Sequence, residues 1–130
     1  MIVGIGVDIV NNARIAKAIA RYGEHYLKRV FTLNEIRQCQ KLRDPIVGYS
    51  NHFASKEALL KAIGTGWSGN IQWTNMELLY SENNVPKIKS TGELQRILSE
   101  KGINCIKLSI GKTKEYSIAT VILESLSMKN

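Results

Sequence analysis

One stretch decides the fold: His52-Phe-Ala-Ser-Lys-Glu-Ala-Leu-Leu-Lys-Ala-Ile-Gly-Thr-Gly66. Within it, Phe53, Leu60 and Ile63 recur at helical spacing, which predicts an amphipathic helix with these side chains on its apolar face. Gly64 follows directly and is typical of the left-handed residue that ends a helix. Every fourth position carries a small side chain that permits close approach of a neighbouring element: Ala54, Ala58 and Ala62.

The charged residues of this helix, Lys56, Glu57 and Lys61, are expected to lie outside the apolar face. Glu57 and Lys61 are four residues apart and would be neighbours on the helix surface. Such a pair is most often a surface ion pair that contributes little to stability. A functional interpretation needs a second carboxylate from elsewhere in the chain, and Asp8 is the candidate.

That second carboxylate interrupts an apolar, β-branched run over residues 1–10, which predicts a buried strand. An ionised Asp8 in such a strand is costly unless an arginine, a helix N-terminus or a metal ion offsets its charge. Gly4 and Gly6 precede it, but they do not form a dinucleotide-binding loop, because Ile9 stands where the third glycine would be.

The composition predicts one globular domain over residues 1–130, since 44% of the residues are apolar. We expect no membrane segment, because no apolar run approaches the roughly 20 residues of a membrane span. No basic flank precedes the first apolar stretch, as a signal peptide would require. Cys39 and Cys105 are too few for a disulfide framework, so we expect free thiols and a cytoplasmic location.

The chain carries 18 lysine and arginine residues against 11 aspartate and glutamate residues, a net charge of +7 that favours a polyanionic partner. Part of this charge lies in one row on a helix that Asn11 or Asn12 would cap: Arg14, Lys17 and Arg21. Such a row is usually a solvated helix face. The alternative is a surface for nucleic acid, an acidic protein or a phosphate-rich small molecule.

The remaining sequence alternates helix and strand signals. A capping box at Thr32 and the Asp44-Pro45 pair predict two helix starts. The predicted helices then cover residues 32–41, 45–63 and 91–101, and the predicted strands cover 71–80, 85–89, 105–110 and 116–123. This order predicts an α+β fold in which an antiparallel sheet packs against helices.

Asp8 and Glu57 could together bind one Mg²⁺, because this ion takes few protein carboxylates and keeps waters and substrate phosphates as other ligands. Lys61, one turn after Glu57, would add positive charge beside the same phosphates. The backbone of Gly64-Thr65-Gly66 could approach a phosphate closely. This set suits phosphoryl transfer, in which positioning and charge neutralisation do most of the catalysis.

Two blocks of the sequence resemble the holo-(acyl-carrier-protein) synthases, the small phosphopantetheinyl transferases of bacteria. The first block is Gly4-Ile-Gly-Val-Asp-Ile-Val10, with Arg14-Ile15 shortly after it. The second runs from Phe53 to Gly66. The spacing between the blocks and the final strands over 109–124 fit the same family. The resemblance implies a single-domain α+β protein of the phosphopantetheinyl transferase type.

The resemblance also implies a reaction in fatty acid biosynthesis. A serine hydroxyl of apo acyl carrier protein attacks the β-phosphate of coenzyme A, the phosphopantetheine arm is transferred, and adenosine 3′,5′-bisphosphate leaves. Asp8 and Glu57 match the Mg²⁺ ligands, and Lys61 matches the lysine that neutralises or protonates the departing phosphate. Further positions match the lining of the nucleotide and phosphate end: Lys56, Gly64, Thr65 and Gly66.

Members of this family are typically trimers with active sites between subunits. Their basic helix docks the acidic carrier, a role that would fall here to Arg14, Lys17 and Arg21. His52 stands where members usually have arginine, and Gly111-Lys112 stands where many have Ser-His, although Lys112 could still contact a phosphate. A basic nucleic-acid-binding module and a family member that has lost activity are the alternatives.

Overall fold

The fold is built on a long helix that packs against a three-stranded antiparallel sheet. The computed structural model describes residues 1–64 and 70–127. Its elements are β1 (Ile2–Asn11), α1 (Asn12–Tyr22), α2 (Glu24–Val30), α3 (Leu33–Gln40), α4 (Pro45–Ile63), a 3₁₀ turn (Trp73–Asn75), β2 (Met76–Tyr80), β3 (Pro86–Ser90), α5 (Gly92–Glu100), β4 (Cys105–Lys112) and β5 (Tyr116–Glu124).

The predicted α+β class is confirmed, with the strands divided between two antiparallel sheets. The larger sheet has the order β1-β5-β4, and β2 pairs with β3 in a separate hairpin. In the larger sheet Asp8 lies opposite Ala119, and Lys112 lies opposite Ser117 near the β4–β5 turn. The sheet therefore holds Asp8 midway along its edge strand and Lys112 near one end.

The backbones of β1 and α4 approach each other closely in the core. A Cβ atom added at Gly6 would lie 2.0 Å from the backbone oxygen of Ala58, and one added at Gly4 would lie 2.1 Å from that of Ala62. The alanine row of α4 therefore admits a neighbouring backbone, as predicted. The two glycines serve this contact, and it holds the inward face of β1, including Asp8, against the helix.

Helix α4 begins and ends as predicted, but the prediction that it is amphipathic is wrong. The Asp44 side chain accepts a hydrogen bond from the Ile46 amide, and Gly64 ends the helix with a φ of 83°. The helix is buried on most of its circumference, because β1 and β5 cover one side while α1, α3 and β2 cover others. Even the charged side chain of Lys56 is buried.

The first strand is also less buried than predicted. Its outward side chains Ile5, Val7 and Ile9 are 63%, 53% and 60% exposed, whereas the alternate side chains face α4. Helices cover one face of this sheet, and β1 lies at its edge. One face of this strand therefore lies against the core, and the other is an apolar face exposed on the protein surface.

Other boundaries differ from prediction for local reasons. Gly23, with a φ of 55°, separates α1 from the unpredicted helix α2. The strand predicted from residue 71 begins at Met76, because a 3₁₀ turn occupies the preceding residues. The capping box at Thr32 and the cap at Asn11 are confirmed, and Cys39 and Cys105 are free thiols. Within residues 1–64 and 70–127, no helix has the length and apolar character of a membrane span.

Candidate functional site

The structure brings the predicted acid of β1 to the predicted lysine of α4. Lys61 Nζ donates to Asp8 Oδ1 at 2.7 Å, with side-chain exposures of 54% and 14%. This hydrogen bond raises the pKa of Lys61, and the nearby charges of Asp8 and Glu57 act in the same direction. Lys61 therefore bonds across to the strand, whereas the sequence suggested Glu57 as its ion-pair neighbour.

Glu57 lies beside this pair on α4 and is half-buried. Burial raises the pKa of Glu57, and the negative charge of Asp8 raises it further, while Lys61 and Arg14 lower it. The two carboxylates thus lie close enough to interact although they are 49 positions apart in the chain. The shared site of Asp8 and Glu57, called the acid pair below, stays a prediction, and their electrostatic interaction supports it.

Two carboxylates are a chemically suitable set for Mg²⁺, which takes few protein oxygens and completes its shell with water and phosphate. Burial, and after it the charge of Asp8, raises the pKa of Glu57, and a divalent cation at this place would stabilise the carboxylate form. No cluster of three or more histidine, cysteine, aspartate or glutamate side chains suited to a metal is found in the described residues. The donor set fits a metal that also binds substrate.

The basic row of α1 begins at this site. Arg14, Lys17 and Arg21 are all exposed, and Arg14 lies near enough to Glu57 to lower its pKa. Arg21 also lies 5.4 Å from the centre of the Tyr22 ring. A negatively charged partner on this face would therefore have one end next to the acid pair.

Lys56 does not lie where the resemblance implies. It was expected to line a nucleotide site, but its side chain is 1% exposed and its Nζ donates to Glu35 Oε1 at 2.6 Å and to the Val30 carbonyl at 2.7 Å. Position 56 of α4 faces α3, so the ammonium group forms its hydrogen bonds inside the protein. We correct the assignment accordingly.

Glu35 is the centre of this buried network, and the sequence identified it only as part of a capping box. Its carboxylate accepts hydrogen bonds from Lys56 Nζ, His52 Nδ1 and the amides of Thr32 and Leu78, at 2.6 to 3.0 Å. Burial alone would raise the pKa of Glu35, but the His52 hydrogen bond and the Lys56 charge outweigh it and hold the pKa below its ordinary value. Glu35 thereby joins α3, α4 and β2.

A cavity of about 1140 Å³ lies at the other end of α4, where the helix meets the β4–β5 turn. Its charged lining is mainly basic, with Asp44 as the acidic exception: Arg43, Lys112 and Lys114. His52 also lines the cavity. Asn51 also lines it, and its Oδ1 is buried without a hydrogen-bond partner in the described residues. The predicted phosphate contact Lys112 thus lies in a cavity that suits an anion with polar groups.

Sequence reasoning missed most of this cavity. Arg43 and Lys114 were not proposed, although the Lys112-Thr113-Lys114 turn is a visible basic signal. Gly64 is exposed at the end of α4, where it serves as a helix cap. The predicted phosphate contacts Thr65 and Gly66 lie outside the described residues.

Comparison with known proteins gives a consistent result over the whole fold. The family model for the 4′-phosphopantetheinyl transferase superfamily matches residues 4–121. A holo-(acyl-carrier-protein) synthase from Koribacter versatilis is 38% identical over 124 residues, which cover 95% of this chain and 99% of that protein. One from Solibacter usitatus is 38% identical over 125 residues, with 96% and 100% covered.

Solved structures agree. The crystal structure of a holo-(acyl-carrier-protein) synthase from Neisseria meningitidis superposes with a TM-score of 0.89 at 31% identity, covering 95% of this chain and 99% of that one. The enzyme from Bacillus anthracis, crystallised in complex with CoA (3′,5′-ADP), gives a TM-score of 0.79 at 30% identity and covers 97% and 99%. These matches do not support the alternative of a nucleic-acid-binding module.

Proposed function

The chain belongs to the 4′-phosphopantetheinyl transferase superfamily, and from this premise we propose that it is a holo-(acyl-carrier-protein) synthase. It transfers the 4′-phosphopantetheine arm of coenzyme A to a serine of apo acyl carrier protein in fatty acid biosynthesis. Adenosine 3′,5′-bisphosphate is released. We further propose that residues 1–130 form one domain and that the enzyme works in the cytoplasm.

The observation that carries the proposal is the convergence of Asp8, Glu57 and Lys61 at one place on the surface. Phosphoryl transfer needs charge neutralisation and positioning at the phosphate, and these three groups can provide both. Lys61 is exposed enough to contact a ligand while its bond to Asp8 fixes the ammonium group. Its charge stabilises the oxygen that leaves with the bisphosphate.

The bond changes assign roles to the chain's own side chains. The serine oxygen forms a bond to the β-phosphorus, and the bond from that phosphorus to the bridging oxygen breaks. Glu57, through a water molecule that it orients, accepts the serine proton. Asp8 holds Lys61 beside the leaving group.

We propose that the reaction depends on Mg²⁺ and that Asp8 and Glu57 hold the ion. When bound there, it would neutralise charge on the diphosphate oxygens. Ion binding can be measured apart from turnover by the electron paramagnetic resonance of Mn²⁺ as a substitute. We expect the wild-type protein to bind Mn²⁺ and Asp8→Asn to bind it much more weakly; equal binding would contradict the assignment.

We propose that the cavity beside the β4–β5 turn takes the phosphate-bearing nucleotide end of coenzyme A, with Lys112 as one contact. His52 and Glu57 are five residues apart on α4, or about 140° around its axis. The cavity and the acid pair therefore face different directions on one chain. An assembly in which the cavity of one protomer meets the acid pair of another would join them.

The proposed assembly is a homotrimer with active sites between subunits. The exposed apolar face of the edge strand β1 supports an interface, because an uncovered apolar edge promotes association. We expect sedimentation of the wild-type protein to give the mass of three chains, and Val7→Glu to give that of one. A wild-type monomer active at the same concentration would contradict the interfacial site.

The proposed docking surface for the acidic carrier is the basic face of α1. Exchange of Lys17 for glutamate should raise the KM for apo carrier by about three- to tenfold, because it replaces an attractive charge with a repulsive one at a rim position. The KM for coenzyme A should change little. Lys89→Glu on β3 is the control with the same change of charge. Equal effects of the two variants would contradict this docking site.

The central test combines the protein, coenzyme A, Mg²⁺ and apo acyl carrier proteins, and follows the carrier by mass spectrometry. We expect the carrier to gain the mass of one phosphopantetheine arm and adenosine 3′,5′-bisphosphate to appear in equal amount. A carrier whose serine is replaced by alanine is the control. Unchanged mass with every apo carrier tested would reject the function and leave an inactive member of the superfamily.

A further inference from the structure

We propose that a second cavity, between β3 and the start of β4, binds a fatty carboxylate, that is, an apolar chain that ends in one negative charge. The cavity has a volume of about 520 Å³ and is lined by residues of β3, α5, β4 and the turn before β4. It shares no lining residue with the cavity at the β4–β5 turn. The transfer reaction proposed above does not use it, so this inference goes beyond that function and does not depend on it.

The cavity lies where two strand edges come together without pairing. β3 belongs to the two-stranded sheet, and β4 is the edge strand of the three-stranded sheet, on the side opposite β1. The two strands lie next to each other, but they belong to different sheets. An edge strand has backbone N–H and C=O groups that its own sheet leaves unused. Polar backbone groups are therefore available along both sides of the cavity.

The floor of this cavity is apolar. Leu98 of α5 and Ile103, which follows that helix, are 2% and 8% exposed and belong to the hydrophobic core. Ile88 of β3 and Ile106 of β4 are half-buried and pack against the same core. Contact with an apolar ligand chain removes the surfaces of both from water, which favours binding.

The charged side chains of the lining are both basic. Lys87 of β3 forms no ion pair within the described residues. Lys107 of β4 pairs with Glu124 at 3.1 Å, but its side chain is 65% exposed, and such a surface pair rearranges at little cost. Among the described residues, no acidic side chain lines the cavity. Two ammonium groups attract an anion and repel a cation, so the ligand carries negative charge.

The uncharged polar side chains of the lining already have partners within the protein. Ser90 Oγ donates to Gln95, whose own Nε2 donates to Ser99 Oγ. The amide nitrogen and the amide oxygen of Asn104 both bond to the backbone of Leu126. These side chains therefore offer little to a ligand with many hydroxyl or amide groups, such as a sugar. The two lysines are left to recognise a single anionic group.

An apolar floor beside two cations matches a chain with one charged end. The chain lies on the isoleucine and leucine side chains, and the carboxylate contacts Lys87 and Lys107 at the rim. The volume of the cavity is within the range of small-molecule sites in proteins.

The test measures the binding of decanoate to the whole protein by calorimetry, below the concentrations at which such chains form micelles. We expect one molecule per chain. From octanoate through nonanoate to decanoate, affinity should rise by up to about fourfold for each added CH₂ group. Acetate has the charge without the chain and should not bind. Decylamine, protonated near neutral pH, has the chain with the opposite charge and should bind at least about tenfold more weakly than decanoate.

Matched variants place the ligand in this cavity. Lys87→Glu replaces an attractive charge with a repulsive one, so affinity for decanoate should fall about tenfold or more. Lys89→Glu makes the same change two residues along the strand, outside the lining, and should alter affinity by less than about twofold. Ile88→Ser, if folded by circular dichroism, should also weaken decanoate binding. Should it not fold, the two lysine variants still decide the matter.

Equal affinity for decanoate and decylamine would overturn the site, because the lysines would then not select the ligand. Equal losses in Lys87→Glu and Lys89→Glu would do the same. So would the binding of several decanoate molecules per chain with no change in Lys87→Glu, which would indicate adsorption to the exposed apolar face of β1. None of these outcomes bears on phosphopantetheine transfer, which is measured separately on the carrier.

Discussion

Helix α4 carries two lysines that each bind a carboxylate, and the two pairs differ in almost every other respect. Lys61 and Asp8 form a partly exposed pair, whereas Lys56 and Glu35 are 1% and 0% exposed. The outer pair lies beside a second carboxylate, that of Glu57. The inner pair also hydrogen-bonds to the backbone of two further elements, through the Val30 carbonyl of α2 and the Leu78 amide of β2. The same kind of ion pair therefore stabilises the fold at the inner position, whereas at the outer position it has the catalytic role that we propose.

The difference follows from the environment of the charges. An exposed pair contributes about 0–1 kcal/mol, because water solvates each ion nearly as well as its partner does. Once a pair is buried, removal of one partner leaves a charge without water or counterion and costs about 3–5 kcal/mol. The outer lysine, Lys61, can therefore also neutralise a ligand from its exposed side. The inner lysine, Lys56, is buried and interacts with Glu35.

The largest expected effect separates these two lysines. Lys56→Met should lower the free energy of unfolding by about 3–5 kcal/mol, because it leaves the Glu35 carboxylate buried without its cation. Lys61→Met, the matched control, should change it by less than about 1 kcal/mol. Urea denaturation followed by circular dichroism measures both. Similar losses in the two variants would mean that burial does not distinguish the pairs.

Glu57→Gln should lower activity strongly and leave stability nearly unchanged, unlike Lys56→Met. It removes a charge from the outer site, so kcat/KM for transfer should fall by about 100- to 1000-fold, as for loss of one electrostatic group in an active site. Stability should change by no more than about 0.5 kcal/mol. Turnover and urea denaturation are measured on the same preparation. Activity near that of wild type at ordinary Mg²⁺ concentrations would remove Glu57 from the mechanism.

The glycines of β1 test how the outer site is held. Gly6→Ala would place a Cβ 2.0 Å from the Ala58 oxygen, so the strand must move away from α4 at a cost of about 1–3 kcal/mol. Transfer should also slow, since Asp8 moves with the strand. Gly111→Ala is the control, because no atom lies within 4 Å of its added Cβ. Equal stability of the two variants would contradict the close contact.

The smallest effect is a contrast in pH dependence between the two glutamates. Glu57 has a raised folded pKa, so its contribution is full below the ordinary value of 4.5 and is lost as pH rises through the folded value. Glu35 has a lowered folded pKa, so its contribution is present above 4.5 and is lost as pH falls through the folded value. Above the raised pKa, the difference in unfolding free energy between wild type and Glu57→Gln should therefore stay constant. As pH falls through that pKa, wild type should gain stability relative to the variant.

The sequence predicted the elements near the site well because its signals there are local. The cap at Asp44-Pro45, the left-handed Gly64 and the alanine row each depend on neighbours within a few residues, and all three are present. Asp8 and Glu57 were expected together in part from the cost of an isolated charge in a strand; this stays a prediction, which their electrostatic interaction supports.

The failures concern long-range packing. Lys56 and Glu57 are adjacent in sequence and equally polar, so no local signal tells which one faces α3. Glu35 satisfies a capping box through Oε1 and, through both carboxylate oxygens, a network that spans three elements. The cavity could not be anticipated either, since its lining comes from several elements that meet only in the folded chain.

The outward side chains Ile5, Val7 and Ile9 have a consequence for how stability should be reported. In the proposed trimer their burial would couple unfolding to dissociation, and a melting temperature would then rise with the amount of protein in the cell or cuvette. A mutation on this strand that weakens the trimer would then destabilise the enzyme more in a dilute sample than in a concentrated one. Every stability measurement on this protein therefore needs its concentration stated beside it.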